Sequence, residues 1–319
     1  MSLLEIQDLS VHYLTARGRV HALDRVTLGL NEAEAVGLVG ESGCGKTTVA
    51  MAVMGLLSEN AKVLGGRIMF ESVDLLSLEH EAMRRVRWRR IAMVFQAAMN
   101  ALNPVHRVGD QIMEAIRTHN GDMSREMAVR RVEELCAMVG LDPARMRDYP
   151  HQFSGGMRQR AIIAMALACS PSLLIADEPT TALDVMVADQ ILGQLRRLQI
   201  QMGLAVLYIS HDISVIARSC DRMGVMYAGQ LVELGPTEDV LESPLHPYTR
   251  GLMRSYPRLT GPRSRLDPIP GEPPNLLEPP MGCRFCPRCA EAGAVCPVQR
   301  PPWRQERSGH WVMCHRVSS

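Results

Sequence analysis

Eight consecutive residues, Gly40-Glu41-Ser42-Gly43-Cys44-Gly45-Lys46-Thr47, fit the pattern G-x4-G-K-[ST] without a mismatch. Glycines let backbone N–H groups converge on one point, an arrangement suited to phosphate oxygens. The apolar run Ala35 to Val39 before the motif reads as a buried strand, and Thr48 to Met54 after it reads as a helix. A helix N-terminus then stands behind the loop and adds a favourable partial charge. The expected chemistry is capture of a nucleoside triphosphate. Lys46 would hold the β- and γ-phosphates and Thr47 would ligate Mg²⁺. Gly40, Ser42, Gly43, Cys44, Gly45 and Thr48 would complete the cradle.

A second group is Leu173-Leu174-Ile175-Ala176-Asp177-Glu178, an apolar run ending in two carboxylates. The end of such a strand is where an α/β sheet places its ligands. Asp177 would enter the Mg²⁺ shell, and Glu178 would polarise the attacking water. Alone this pattern is weak, because many surface turns share it. Its company is Ser154-Gly155-Gly156-Met157-Arg158-Gln159-Arg160, two glycines after a serine at the start of a helix. That is a second phosphate-binding helix N-terminus, about 110 residues beyond Lys46, and one nucleotide held by one chain does not need it.

These groups require a scaffold, and the hydrophobic pattern supplies one. Residues up to about 95 read as β-rich, with alternation in Leu4-Glu5-Ile6-Gln7-Asp8-Leu9. From about 97 to 150 the pattern turns helical, with three- and four-residue spacing over Val108 to His119 and Arg125 to Val139. Residues 154 to 235 alternate helices with apolar strands at Leu173 to Ala176, Ala205 to Ile209 and Gly224 to Tyr227. The expected fold is α/β, with a mostly parallel sheet covered on both faces. From Pro257 to Pro302 prolines recur, and little regular structure is expected there. Two domains follow, 1–255 and a Pro-rich, Cys-rich extension, 256–319.

With these motifs in order, the sequence resembles an ATP-binding-cassette (ABC) domain over about residues 3 to 240, and Ser154 to Arg158 resembles its signature motif. The resemblance implies a P-loop fold with an antiparallel β subdomain and an inserted helical subdomain at about 97–150. It also implies two cassettes facing head to tail, each ATP lying between one chain's phosphate loop and the other's signature. Ser154, Gly155 and Gly156 then touch nucleotide from the opposite side. Tyr13 matches the aromatic that stacks on adenine, and Gln96 matches the glutamine that senses Mg²⁺ and the attacking water. Ala182-Leu183-Asp184 matches the loop at the dimer interface, and His211 matches the switch histidine on the γ-phosphate. Any one of these residues alone would more often be structural; together, at family spacing, they make the ATPase complete. Met157 stands where the family commonly has glutamine.

A narrower resemblance covers almost the whole chain. Leu102-Asn103-Pro104, Tyr149-Pro150-His151-Gln152 and His246-Pro247-Tyr248-Thr249 are similar to the ATPase subunits of dipeptide and oligopeptide importers, a group that also serves nickel. The implied partners are a second cassette ATPase (a heterodimer, with a homodimer the alternative), two transmembrane permease subunits and an extracytoplasmic substrate-binding protein. The implied place is the cytoplasmic face of the cell membrane, as a peripheral protein.

Cys283, Cys286, Cys289, Cys296 and Cys314 crowd the tail, and in a reducing compartment such a cluster reads as a metal site before it reads as disulfides. The importer resemblance implies a [4Fe–4S] cluster on Cys283, Cys289, Cys296 and Cys314. Cys286 departs from the family pattern and offers Zn²⁺ a C-x2-C pair as the alternative.

Bulk properties limit the rivals. Hydrophobic residues make up 46% and charged residues 22% of the 319, the balance of a soluble globular protein. The net charge of +1 provides no global field for nucleic acid, so a zinc-bound nucleic-acid module is not expected. The basic run Arg84 to Arg90 reads as a solvated helix face. The longest central apolar run, Ala161 to Cys169, falls short of the ~20 residues of a spanning helix. The first residues also lack the basic-then-apolar order of a secretory signal. Cassette ATPases that organise chromosomes carry long coiled coils between phosphate loop and signature, and translation factors carry two cassettes; neither is found here.

Overall fold

The structure, a computed structural model, describes residues 2–96, 101–120, 123–181, 183–255 and 268–317. In chain order the strands and α-helices are β1 (Ser2–Thr15), β2 (Gly18–Asn31), β3 (Ala35–Val39), α1 (Lys46–Val53), β4 (Ala61–Phe70), β5 (Val73–Asp74), α2 (His80–Val86), β6 (Ile91–Val94), α3 (Val108–His119), α4 (Arg125–Met138), α5 (Gly155–Ala166), β7 (Leu173–Asp177), α6 (Val185–Met202), β8 (Ala205–Ile209), α7 (Ile213–Ser219), β9 (Arg222–Tyr227), β10 (Gln230–Pro236), α8 (Thr237–Glu242), α9 (Pro247–Arg254), β11 (Arg304–Arg307) and β12 (His310–Val312). The chain divides into two compact units.

The first unit is Met1–Leu3, Leu30–Ala35 and Ser77–Ile209. Its strands β6, β7 and β8 run parallel, with Ile91 opposite Leu173 and Leu173 opposite Ala205. Every residue of the three is buried. That explains their unbroken apolar runs, since a parallel strand covered on both faces has no polar side to show. The helical segment forms where the spacing predicts it. In α3 the buried residues Val108, Ile112, Ala115 and Ile116 make one face, the period of an amphipathic helix. α4 begins at Ser124, whose hydroxyl accepts from Met127 N at 3.2 Å, a cap that satisfies one orphan N–H. α5 packs against α3, α4 and α6. The expected insert begins at residues 97–100, which lie outside the described residues.

The second unit is Leu4–Gly29, Val36–Leu76 and Ser210–Ser319. One sheet has the order β2-β1-β4-β5. There β1 and β4 pair antiparallel with Ile6 opposite Ile68, as do β4 and β5. This is the antiparallel β part that the family resemblance implied. A second set of strands begins with β3 parallel to β9, Val36 opposite Arg222. The expectation of a mostly parallel sheet holds only to that point. β10 turns back antiparallel to β9, then β12 and β11 follow antiparallel in turn. The turn between β9 and β10 is Ala228-Gly229, with φ of 48° and 82°, and two positive φ values in a two-residue loop match the right-handed twist of a hairpin.

Beyond the proline-rich stretch that ends at Pro302, β11 and β12 give the tail regular structure. Trp311 and Val312 pair with Leu234 and Glu233 of β10. Beneath this pairing Glu233 is wholly buried, and its carboxylate accepts from Leu245 N, His246 N and His310 Nε2, each at 2.8 Å. Burial pushes the neighbouring His246 down to about 4, so it is a neutral ring whose Nδ1 accepts from Tyr248 N. A buried carboxylate with three donors is tolerated because its partners replace water. Glu233→Ala is expected to cost about 3–5 kcal/mol, by orphaning those donors and opening a cavity. Urea unfolding checks this, and a midpoint unchanged from the parent would refute it.

No helix among the described residues is long and apolar enough to cross a membrane.

Candidate nucleotide site

The phosphate loop leaves the buried strand β3 at Gly40. There φ is 151°, and a Cβ would stand 2.1 Å from the Met226 carbonyl oxygen. Only glycine lets the chain turn so close to the end of β9. Lys46 is 7% exposed and reaches back across the loop. Its ammonium donates to Gly40 O at 2.7 Å and Glu41 O at 3.1 Å, with the Cys44 sulfur at 3.5 Å. Burial raises the Cys44 thiol, which is therefore neutral packing under the loop. No side chain caps α1, whose N-cap residue is Gly45, so its first-turn N–H groups are left for a ligand. Ser42, Gly43 and Thr47 are exposed, and Thr48 is half-buried. A glycine-lined turn, an inward lysine and an uncapped helix together fit the polyphosphate of a nucleotide.

Two more predicted residues lie in the same unit. Tyr13 is half-buried on β1 opposite Ala61 of β4. His211 is exposed just after β8, between Ser210 and Asp212. Asp212 caps α7 by accepting from Ser214 N at 2.8 Å, and its own N–H donates to Ser210 Oγ at 3.0 Å.

The first unit holds the carboxylates. β7 ends at Asp177, 2% exposed. The next residue, Glu178, has φ of 49°, in the left-handed region. Such a conformation in a non-glycine residue costs roughly 1–3 kcal/mol and collects at functional sites. Its N–H donates to Ile209 O at 2.8 Å. Its carboxylate Oε2 accepts from Gln96 Nε2 at 3.1 Å and from Thr181 Oγ1 at 2.8 Å. The structure thus brings together Gln96 and Glu178, 82 positions apart. Thr181 was not singled out from the sequence; its signal is a hydroxyl three residues beyond the candidate base, within reach of a turn.

The signature segment is in this unit too. Ser154 Oγ accepts from Met157 N at 3.3 Å and caps α5. Asp184 accepts from Val187 N at 2.9 Å and caps α6. A Cβ on Gly156 would meet Val187 Cγ1 at 2.6 Å, so a glycine is needed where α5 and α6 begin side by side. Ser154 and Asp184 are exposed, Gly155 and Gly156 half-buried. Of the interface loop, Ala182 lies outside the described residues.

The tail cysteines do not form the expected metal site. Among the described residues, no group of three or more His, Cys, Asp or Glu side chains is placed to hold a metal ion. That overturns both the [4Fe–4S] cluster on Cys283, Cys289, Cys296 and Cys314 and the zinc alternative through Cys286. None of the nine cysteines is joined in a disulfide. Burial pushes Cys283 up to about 11 and raises Cys286, Cys289 and Cys314 as well. Cys283 and Cys296 are joined through the backbone, N to O at 2.8 Å. Arginines staple this tail instead. Arg284 Nη2 lies 3.1 Å from Asp24, Arg300 donates to the same carboxylate at 2.7 Å, and Arg284 also bonds Ala228 O. Although desolvation opposes it, these arginines and Gln230 leave the Asp24 carboxyl lowered.

Known proteins agree with this arrangement. A family model described as "ABC transporter" matches residues 23–181, and one described as "Oligopeptide/dipeptide transporter, C-terminal region" matches residues 232–296. A Sinorhizobium fredii protein described as "Probable peptide ABC transporter ATP-binding protein" is 48% identical over 98% of this chain and 95% of its own length. The dipeptide transport ATP-binding protein DppD of Bacillus subtilis is 46% identical over 98% of this chain and 93% of its own. Among solved structures, an ATP-binding cassette in a dimeric post-hydrolysis state with ADP and Pi is similar with a TM-score of 0.66. It is 27% identical, covering 73% of this chain and 98% of that one. With a phosphate loop, a paired carboxylate end and a capped signature helix at the matched positions, the chain belongs to the ABC transporter family, among the ATP-binding proteins of its oligopeptide/dipeptide branch.

Proposed function

We propose that the chain is the ATP-hydrolysing subunit of a bacterial importer for di- and oligopeptides. The observation that carries the cargo class is similarity along the whole chain to proteins named for peptide and dipeptide transport. The cassette chemistry rests on the loop and carboxylate geometry described above.

In this reading Gly40, Ser42, Gly43, Cys44, Gly45, Lys46, Thr47 and Thr48 hold the phosphates of ATP, and Tyr13 stacks on adenine. Glu178 orients and polarises the attacking water, steadied by Gln96 and Thr181, and His211 contacts the γ-phosphate. Thr47, Gln96 and Asp177 would hold Mg²⁺, since their side chains are the oxygen donors a hard cation takes. The ion, when bound, would offset charge on the β- and γ-phosphates. Ser154, Gly155, Gly156 and Asp184 face a second cassette. Val185 and Met186, at the start of α6, are 86% and 76% exposed, which supports an interface there. That second ATPase subunit is a related chain in a heterodimer. The further partners are two permease subunits and an extracytoplasmic binding protein, and the protein sits peripherally on the cytoplasmic membrane face. Domain 1–255 performs the hydrolysis, its insert at about 97–150 grips the permease, and 256–319 forms a Cys-rich extension whose boundary lies outside the described residues.

Uptake of a labelled dipeptide tests the cargo, in cells carrying the parent protein or its Lys46→Ala variant, with nickel uptake alongside. Loss of dipeptide uptake with nickel unaffected is expected. Intact dipeptide uptake with nickel uptake lost would transfer the assignment to nickel, a cargo served within the same group.

A further inference from the structure

Glu41, the second residue of the phosphate loop, is held at both its side chain and its backbone by residues from far along the chain. Arg288, 247 positions later, donates from Nη1 to Oε2 at 2.8 Å and from Nη2 to Oε1 at 3.0 Å. Its remaining N–H groups go to Pro270 O at 2.9 Å, Tyr227 Oη at 3.3 Å and Ile269 O at 3.4 Å. An arginine has five N–H donors in a fixed fork, and here all five are used. The Arg288 side chain is 5% exposed and that of Glu41 27%, so the pair is shielded on the arginine side. Glu41 N–H in turn donates to Tyr248 Oη at 3.0 Å. Tyr248 is wholly buried against Tyr227 and Phe285, with ring centroids 4.6 and 5.4 Å away.

The chain of contacts continues into the loop. Glu41 O accepts from the Lys46 ammonium, the group read as holding the phosphates. Arg284 and Arg300 end on Asp24 and the β9–β10 turn, whereas Arg288 ends on the loop itself. A pure staple for the tail has no need of that address. We propose that Arg288 is a positioning residue of the phosphate loop, which fixes Glu41 and so presets Lys46 and its neighbours for ATP. This rests on the reading of the loop as the ATP site. A two-bond, charge-assisted fork is strong and directional, and a loop fixed before binding loses less freedom when the ligand arrives.

Calorimetric titration of the full chain with ATP and Mg²⁺ tests this on the parent protein and on Arg288→Gln, Arg288→Lys, Glu41→Gln, Arg288→Gln/Glu41→Gln, Arg300→Gln and Lys46→Ala. Far-UV circular dichroism and thermal melting without nucleotide accompany each titration. Arg288→Gln and Glu41→Gln are each expected to weaken ATP binding about tenfold, and the double variant no further, because both break one fork. Arg288→Lys retains the charge but not the fork, and should fall between. Arg300→Gln, which loosens the tail at Asp24 alone, should bind ATP within about twofold of the parent. If Arg288→Gln fails to fold, Arg288→Lys and Glu41→Gln decide the matter. Unchanged affinity in the Arg288 and Glu41 variants would overturn the inference, as would equal weakening by Arg300→Gln. A parent protein that binds no ATP, like Lys46→Ala, would overturn the nucleotide reading along with it.

Discussion

Glu178→Gln will lower the steady-state rate of ATP hydrolysis by about 10²–10⁴, the span that a positioned general base supplies, while ATP binding persists. The amide is nearly isosteric with the carboxylate. It can accept from Thr181 Oγ1 and Gln96 Nε2, the two donors that fix Glu178 at 2.8 and 3.1 Å. The left-handed backbone at φ 49° and the N–H bond to Ile209 O are unaffected. What is lost is the negative charge that polarises water. Phosphate release measured beside ATP titration checks the separation. A variant that hydrolyses ATP at the parental rate would remove Glu178 from the mechanism, and one that neither binds nor hydrolyses would indicate a structural role instead.

Gly40→Ala is expected to abolish ATP binding and to cost on the order of 3 kcal/mol of stability, by combining backbone strain with overpacking. The new methyl would meet a carbonyl oxygen of β9 at 2.1 Å. That oxygen belongs to the backbone and cannot rotate away, as a side chain could. Relief requires the loop to swing off β3, and Gly40 O would then no longer receive the Lys46 ammonium at 2.7 Å. Thermal melting and the same titration read the two effects together. A variant that melts like the parent and binds ATP would show that the loop's path is looser than described.

The parts of the site written in consecutive residues were legible in the sequence. Gly40 to Thr47, the run into Asp177 and Glu178, and Ser154 to Arg158 each carry their own context of strand, turn and helix. The elements followed from periodicity: α3 spans Val108–His119, as the spacing predicts, and α4 ends at Met138, one residue before the expected limit. Pairings between distant residues were not legible, because no local pattern encodes them. Arg288 on Glu41 and His310 under Glu233 leave no periodic trace. The cysteines misled for a related reason. Close spacing in sequence resembled a ligand set, yet among the described residues the fold brings no three such side chains together to hold a metal ion. The neighbouring arginines Arg284, Arg288 and Arg300 each reach a carboxylate elsewhere in the unit, a pairing that no local pattern marks.

The pairing of β10 with β12 has a consequence for how the protein is made. Glu233 and His310 are 77 positions apart, and a growing chain adds about 5–20 residues per second, so the two are synthesised some 4–15 s apart. During that interval β10 has β9 on one flank and a bare row of N–H and C=O groups on the other, the kind of edge that recruits foreign strands. The carboxylate beneath it also waits for its imidazole. The nascent protein therefore passes through a stage in which its nucleotide loop is already synthesised while the edge of its sheet still needs shelter from the ribosome or a chaperone.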